Sequence, residues 1–213
     1  VTGLSPGATY YFCAVANNGS GTAYGSVLSF IASVTVPTVT TNEATLVTGT
    51  EAQLNGAANP NGGSALGWFR YDTVDPGTCD NTFGTRAPPS GAAFLGSGIS
   101  PVGYSQGITG LSPGTTYFYC AIALNNIDFA FGPLVTFTTP LPPTTTTLAA
   151  TNVTNAASQL NGSANPNAAL TAGWFRYSAT DPVTCDDTFG IRAPSSGGSS
   201  LGSGTSVQAY SES

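Results

Sequence analysis

The sequence has no histidine, no methionine and no lysine, and its four arginines stand against ten acidic residues. Four arginines cannot line a groove that tracks phosphates, which excludes nucleic-acid binding. Without histidine or lysine, the usual general bases and the groups that activate serine or cysteine nucleophiles are gone, so any acid-base chemistry falls to carboxylates. The four cysteines form no C-x-x-C pair and have no histidine to join them, which argues against a metal framework, and no cofactor is expected. The arginines are followed by Tyr71, Ala87, Tyr177 and Ala193, so there is no Arg-Gly-Asp cell-binding loop. Lysine-asparagine isopeptide crosslinks are excluded in the same way. No run nears the roughly 18 apolar residues of a membrane span, and no basic stretch leading into an apolar one opens the chain. Any export signal or anchor is expected outside this segment.

What remains is apolar or uncharged. Hydrophobic residues make up 40% of the 213 positions and charged residues 7%. That is enough apolar surface for packed cores, with Thr, Ser, Asn and Gly left to solvate the outside. The mixture suits exposed β-surface in a secreted, extracellular or cell-surface protein.

The chain repeats itself. QLNGAANPN at 53–61 returns as QLNGSANPN at 159–167, GWFRY at 67–71 returns at 173–177, and DPGTCDNTFGTRAP at 75–88 returns as DPVTCDDTFGIRAP at 181–194, each 106 residues on. GLSPGATYYFC at 3–13 returns as GLSPGTTYFYC at 110–120, 107 residues on. The period is that of one domain. Residues 36–140 hold a complete unit, 1–35 the C-terminal part of one, and 141–213 the N-terminal part of the next, to be completed by an adjoining copy. Ser213 aligns with Gly107 and Val1 with Ile108, so the third copy stops where the first begins. The expectation is a two-unit window of a longer array, or the repeating element of a polymer, whose open ends are completed by neighbouring strands.

Within the complete unit, short β-rich runs alternate with Gly, Pro and Asn, which predicts strands near 38–41, 45–56, 66–73, 100–109, 115–124 and 130–138, and no helix. Along 116–123, Tyr117, Tyr119, Ala121 and Ala123 share one face while Phe118, Cys120 and Ile122 share the other. Asn125 and Asn126 supply a hairpin turn. GLSPGTTY at 110–117 has the form of a tyrosine corner, in which a Tyr early in a strand bonds to the backbone just upstream; Tyr117 and its counterpart Tyr10 take that role.

Leu111, Pro113, Gly114, Thr115 and Tyr117, together with the turn Asn59 to Gly62 and the pair Phe69 and Tyr71, resemble the bacterial extracellular repeats of the fibronectin type III superfamily. The resemblance covers every unit. It implies an all-β fold of tandem fibronectin type III or Ig-like antiparallel β-sandwiches, and it specifies fold far better than function. Two departures stand out: Ala8 replaces the Thr of the pattern, and an insertion from Asp75 to about Gly91 carries a cysteine that simple members lack.

Each unit has one early cysteine (Cys79, Cys185) and one late one (Cys13, Cys120). Cys79 and Cys120 are expected to pair within the chain, and Cys13 and Cys185 to find mates in adjoining copies. The clustered acids Asp75 and Asp80, with Asp181 and Asp186, could serve catalysis, bind calcium, or cap turns and pair with Arg70 or Arg86; turn capping is the first expectation and no enzyme activity is expected. Phe69 and Tyr71 are placed inside, which turns Trp68 and Arg70, and their counterparts Trp174 and Arg176, outward as a stacked pair, a protein contact or a sugar platform. Asn18, Asn152 and Asn161 head Asn-x-Ser/Thr sequons, and Thr144, Thr145, Thr146 and Thr147 follow LeuProPro in what reads as a stiff linker open to O-glycans. The functional expectation is a structural subunit of an extracellular filament or surface array that self-associates, with adhesion as an added role. The alternative is a carbohydrate- or cell-binding spacer of a larger secreted protein.

Overall fold

A computed structural model describes all of residues 1–213. It contains twenty β-strands and no helix. The first copy contributes β1 (Thr9–Phe12), β2 (Val15–Asn18), β3 (Gly21–Tyr24) and β4 (Leu28–Ile31). The middle copy contributes β5 (Thr38–Thr45), β6 (Glu51–Asn59), β7 (Ala65–Asp72), β8 (Thr85–Ala87), β9 (Ala93–Gly96), β10 (Val102–Thr109), β11 (Thr116–Leu124), β12 (Phe129–Phe131) and β13 (Val135–Thr138). The third contributes β14 (Thr144–Thr151), β15 (Gln159–Asn165), β16 (Thr171–Gly173), β17 (Phe175–Tyr177), β18 (Ile191–Ala193), β19 (Ser199–Gly202) and β20 (Gln208–Glu212). The chain divides into two compact bodies. One comprises Val1–Val47, Glu51–Leu111 and Thr115–Thr138, the other Thr48–Thr50, Ser112–Gly114 and Thr139–Ser213.

In the middle copy two antiparallel sheets share one core. The first has the order β10-β6-β5; in the second, β11 pairs with β7, β12 and β13, and β7 also pairs with β8 and β9. Alternate residues of β6 and β11 point inward, so Ala52, Leu54, Ala58, Tyr117, Tyr119, Ala121 and Ala123 meet Phe69, Tyr104 and Phe137 in a single buried cluster. Gly67 is required by this packing: a Cβ there would lie 2.9 Å from the Tyr104 ring. The ring passes over Gly67, sits 5.0 Å from Phe69 between centroids, and its hydroxyl donates to the Ile122 carbonyl at 2.9 Å. The third copy repeats the motif, with Tyr210 over Gly173 and 4.9 Å from Phe175.

Three expectations are corrected. The strand expected over 45–56 is broken, because Leu46 takes φ 51° and β6 starts only at Glu51. Between 73 and 100, where no strand is expected, two short ones form: β8 inside the insertion and β9 after it, both paired with β7. The threonine run at 144–147 is not a linker but the first half of β14, paired with β15 from Thr144↔Asn165 to Thr147↔Gly162. Thr is a good strand former, and here its backbone finds a partner.

The turn at Asn125 is pinned from both sides. Its side-chain oxygen accepts from Ile127 N at 2.9 Å, and its amide donates to Thr35 O at 2.7 Å and Pro60 O at 3.1 Å. A polar side chain this buried is stable only because every hydrogen-bonding group is used.

Candidate functional site

The insertion between β7 and β9 folds back over the face of β7 and β11 that points away from the core. Cys79 in the loop is bonded to Cys120 on β11, with Cα atoms 6.1 Å apart. Around the bridge, Trp68, Cys120 and Ile122 form a second buried cluster, with Phe83, Ala92, Leu124 and Leu134 packed against it. β11 is therefore buried on both faces.

The loop is shaped by its aspartates. Asp75 accepts from Gly77 N at 2.7 Å, and Asp80 accepts from Thr82 N at 2.6 Å, Thr82 Oγ1 at 2.8 Å and Phe83 N at 2.9 Å. Those bonds, the Thr82 backbone bond foremost, hold the Asp80 carboxyl below its ordinary range. Asp186 repeats the arrangement through Thr188 and Phe189. No three His, Cys, Asp or Glu side chains converge to hold a metal ion. These carboxylates work as turn caps.

The outward placement of Trp68 is corrected. Trp68 is only 5% exposed. The loop roofs it, Asn81 accepts its indole N–H at 2.9 Å, Phe129 meets it edge-on at 5.9 Å, and the Arg86 guanidinium covers its ring at 4.9 Å. The stacked arginine is Arg86, not Arg70, because Arg70 donates to the carbonyls of Phe83 and Gly84. Arg86 is tied down in turn by Pro88 O at 2.6 Å and Gly91 O at 2.5 Å. In the third copy Arg192 covers Trp174 at 4.7 Å, while Arg176 Nε pairs with Asp187 at 3.0 Å. A sugar platform needs an open indole face, which neither stacked tryptophan offers fully, although Trp174 is 37% exposed.

What the sequence reading missed lies beside this roof. Cross-strand partners share a face of a sheet, and the register pairs Phe94 with Leu66, Leu66 with Leu124, and Leu124 with Phe129. These four side chains thus run in a row across β9, β7, β11 and β12. Phe94 is 72% exposed, and Leu66, Phe129 and the neighbouring Phe131 are exposed too. Leu66 stands two residues from Trp68, so the alternation along β7 already put it on the outer face.

The remaining predicted residues fall as follows. Tyr10 OH accepts from Ser5 N at 2.7 Å, the geometry of a tyrosine corner, and Tyr117 is buried and stacked on Phe137 at 5.4 Å. Cys13 and Cys185 are exposed free thiols. Asn18 is exposed at the end of β2, with its oxygen accepting from Ser20 N at 2.9 Å. Asn152 takes φ 52° and its amide donates to Gln159 at 2.9 Å. At Asn161 the amide nitrogen bridges the irregular stretch of β14 through Ala149 O at 2.9 Å and Thr151 Oγ1 at 3.0 Å. Asn55 makes the same bridge to Glu43 O and Thr45 Oγ1 without any sequon, so the asparagine is there for the strand.

No protein-family model and no curated protein matches the chain. Among solved structures, it is similar to the sensor domain of the anti-sigma factor RsgI4 of Pseudobacteroides cellulosolvens. The shorter form aligns at a TM-score of 0.36 and 21% identity over 50% of this chain and 97% of that one. The longer form aligns at 0.33 and 19% over 56% and 98%. These findings correct the expected role as a structural filament subunit: the solved structures it is similar to are sensor domains. No helix is long and apolar enough to cross a membrane.

Proposed function

We propose that the chain is a segment of an extracellular, non-catalytic recognition or sensor protein, built from fibronectin type III-like sandwiches in tandem. The observation that carries this reading is the row Phe94, Leu66, Leu124 and Phe129, apolar and largely open on a sheet whose strands are braced by the Cys79–Cys120 bridge. A contiguous apolar patch on a rigid sheet is the usual mark of a protein-binding surface. The bridge favours an oxidising compartment, since cytosolic reductants would keep these thiols apart. The arrangement suits an apolar peptide or protein segment better than a sugar, because the aliphatic residues in the row offer no flat ring and Trp68 is roofed.

Panning the whole chain against a phage-displayed peptide library tests this. Peptides with paired aromatic or aliphatic residues should be enriched, and Phe94→Ser with Phe129→Ser should weaken them by roughly tenfold or more while the middle copy stays folded, at some loss of stability from the Phe129–Trp68 contact. Enriched peptides that bind the double variant equally well would overturn the reading.

A further inference from the structure

The row of Phe94, Leu66, Leu124 and Phe129 is peculiar to the middle copy. At the matching positions 106 residues on, Leu66 and Phe94 give way to Ala172 and Ser200; 107 residues before, Leu124 and Phe129 give way to Asn17 and Thr22. The pairing is unchanged. Ala172 lies opposite Ser200 as Leu66 lies opposite Phe94, and Asn17 lies opposite Thr22 as Leu124 lies opposite Phe129. Asn17 donates to Thr22 Oγ1 across its hairpin at 2.6 Å, so a polar pair suits these strands. The neighbouring residues of β7 do not change: Trp68, Phe69, Arg70 and Tyr71 return as Trp174, Phe175, Arg176 and Tyr177. The strands therefore pair without the apolar row, and a face that packed copy against copy would recur in each of them.

The free charge around the row has one sign. Asp128 is exposed beside Phe129 at one end of it, and Asp75 and Asp80 are exposed on the loop that roofs Trp68. Arg70 and Arg86 are spent on the carbonyls of Phe83, Gly84, Pro88 and Gly91, and the chain has no lysine or histidine. An apolar stripe with an acidic border attracts a segment that is apolar on one side and cationic on the other. Spacing selects its form. The row runs across the strands, so its side chains stand about 4.8 Å apart and the whole is about 14 Å long. Residues on one face of a helix recur about every 5.4 Å, those of an extended strand about every 6.7 Å. Over four positions a helix drifts from the row by about 2 Å and a strand by about 6 Å.

We propose, on the reading of the row as a protein-binding surface, that its occupant is a cationic amphipathic helix of another protein. The helix lies across β9, β7, β11 and β12 with apolar residues at i, i+4, i+7 and i+11 over Phe94, Leu66, Leu124 and Phe129 in turn. Its lysines or arginines flank that stripe and face Asp128 and the aspartates of the roof. β7 and β11 are already paired from Asp72 to Leu66 and the roof is tied to β11 by the Cys79–Cys120 bridge, so the face is preformed and the cost of ordering falls on the helix.

Three displayed libraries of peptides about 16 residues long, enough for four helical turns, test this on the whole chain with the Cys79–Cys120 bridge closed. Each peptide has four positions drawn from Leu, Ile, Phe and Trp. The first library sets them at i, i+4, i+7 and i+11 among lysine and alanine, the second replaces the lysine by glutamate, and the third keeps the lysine but sets them at alternate residues. The first should be enriched roughly tenfold or more over the other two. Its binders should lose roughly tenfold or more in affinity on a Leu66→Ala/Phe94→Ser/Leu124→Asn/Phe129→Thr chain, which takes at each position the residue of another copy and whose circular dichroism should match the parent. Asp128→Asn and high salt should each weaken them severalfold. Equal enrichment of the glutamate or the alternating library, no enrichment of the first, or binding that neither Asp128→Asn nor salt weakens overturns the cationic helix; unrestricted peptides that still need the row would then leave the proposed function standing. Binders from any library that ignore the fourfold substitution overturn both.

Discussion

The middle and third copies carry nearly the same side chains from strand to strand, yet they are built to different depths. Leu54 is fully buried and Leu160 only half so; Trp68 is buried and Trp174 exposed; Phe69 is buried and Phe175 half-buried. The backbone differs with them. β7 runs unbroken from Ala65 to Asp72, whereas the same stretch of the third copy is split at Trp174 into β16 and β17. What separates them is β11, whose pairing along β7 from Asp72 to Leu66 holds the middle strand in register. A strand paired on both sides keeps its geometry, and one with a free edge does not. The comparison teaches that burial here is delivered by strands from the far end of the repeat, not by the residues that end up buried.

The largest effect is expected at the bridge. Cys79 and Cys120 are 41 residues apart, and cutting that link with a Cys79→Ser/Cys120→Ser double variant should cost the middle copy about 4 kcal/mol in the chain-entropy account. Cys185→Ser, at the matching place, should leave the chain, with the Cys79–Cys120 bridge closed and Cys13 a free thiol, within about 0.5 kcal/mol of the parent. The middle and third copies have one tryptophan each, so urea unfolding followed in a Trp174→Phe or a Trp68→Phe background reads the two bodies separately.

Next comes the core. Leu54→Ala removes a fully buried side chain from the cluster that holds Tyr119 and should cost about 3 kcal/mol, while Leu160→Ala, beside an open groove, should cost under about 1 kcal/mol. Equal losses at both positions would show that the third copy is packed as tightly as the second, and the contrast in depth would collapse.

Much of this was legible in advance, and the gaps have physical causes. The alternation in TyrPheTyrCysAlaIleAla sorted the two faces of β11 correctly, because one face meets the sheet of β6 and the other carries Cys120 and Ile122. The same reasoning failed at TrpPheArgTyr, where alternation marks one face as solvent. A loop without periodicity roofs that face, and its burial comes from aspartate turns and a disulfide that no two-residue period reveals. The threonines at 144–147 read as a spacer from composition, although their alignment with β5 marked them as a strand. The row of Phe94, Leu66, Leu124 and Phe129 spans four strands and exists only through register, which a linear pattern does not encode. Of the site, the cysteine positions and the repeat offset were the readable part.

A smaller difference should show at alkaline pH. Burial, with the charge of Glu43 added, pushes the Tyr119 phenol up to about 12, and burial raises Tyr104 as well. A raised phenol favours the neutral form in the fold, so its stabilisation is complete below the ordinary tyrosine pKa near 10 and is lost as pH climbs towards about 12. Tyr119→Phe should flatten that limb for the middle copy, whereas Phe12 occupies the matching place in the first copy and has no phenol to titrate. Unfolding midpoints taken between pH 9 and pH 12, about the range the shift spans, check it.

The smallest effect separates the two tryptophan roofs. Asn81 accepts the Trp68 indole proton but leaves Arg70 Nε without a partner, while Asp187 accepts from both Trp174 at 2.8 Å and Arg176 Nε at 3.0 Å. Those two bonds, the indole's first, hold the Asp187 carboxyl below its ordinary range. A lowered carboxyl stabilises the fold above its unfolded pKa and loses that contribution as pH falls through the folded one, so the third copy should weaken in acid through this contact. Asp187→Asn should remove that dependence, and Asn81→Asp should introduce it in the middle copy while giving Arg70 a partner. Because the carboxylate of Asp187 is exposed, the gain is small and should shrink further in high salt. Acid titration of Trp174 fluorescence in the parent and in Asp187→Asn decides the point: superimposed curves would mean that the aspartate adds nothing the asparagine of the middle copy lacks.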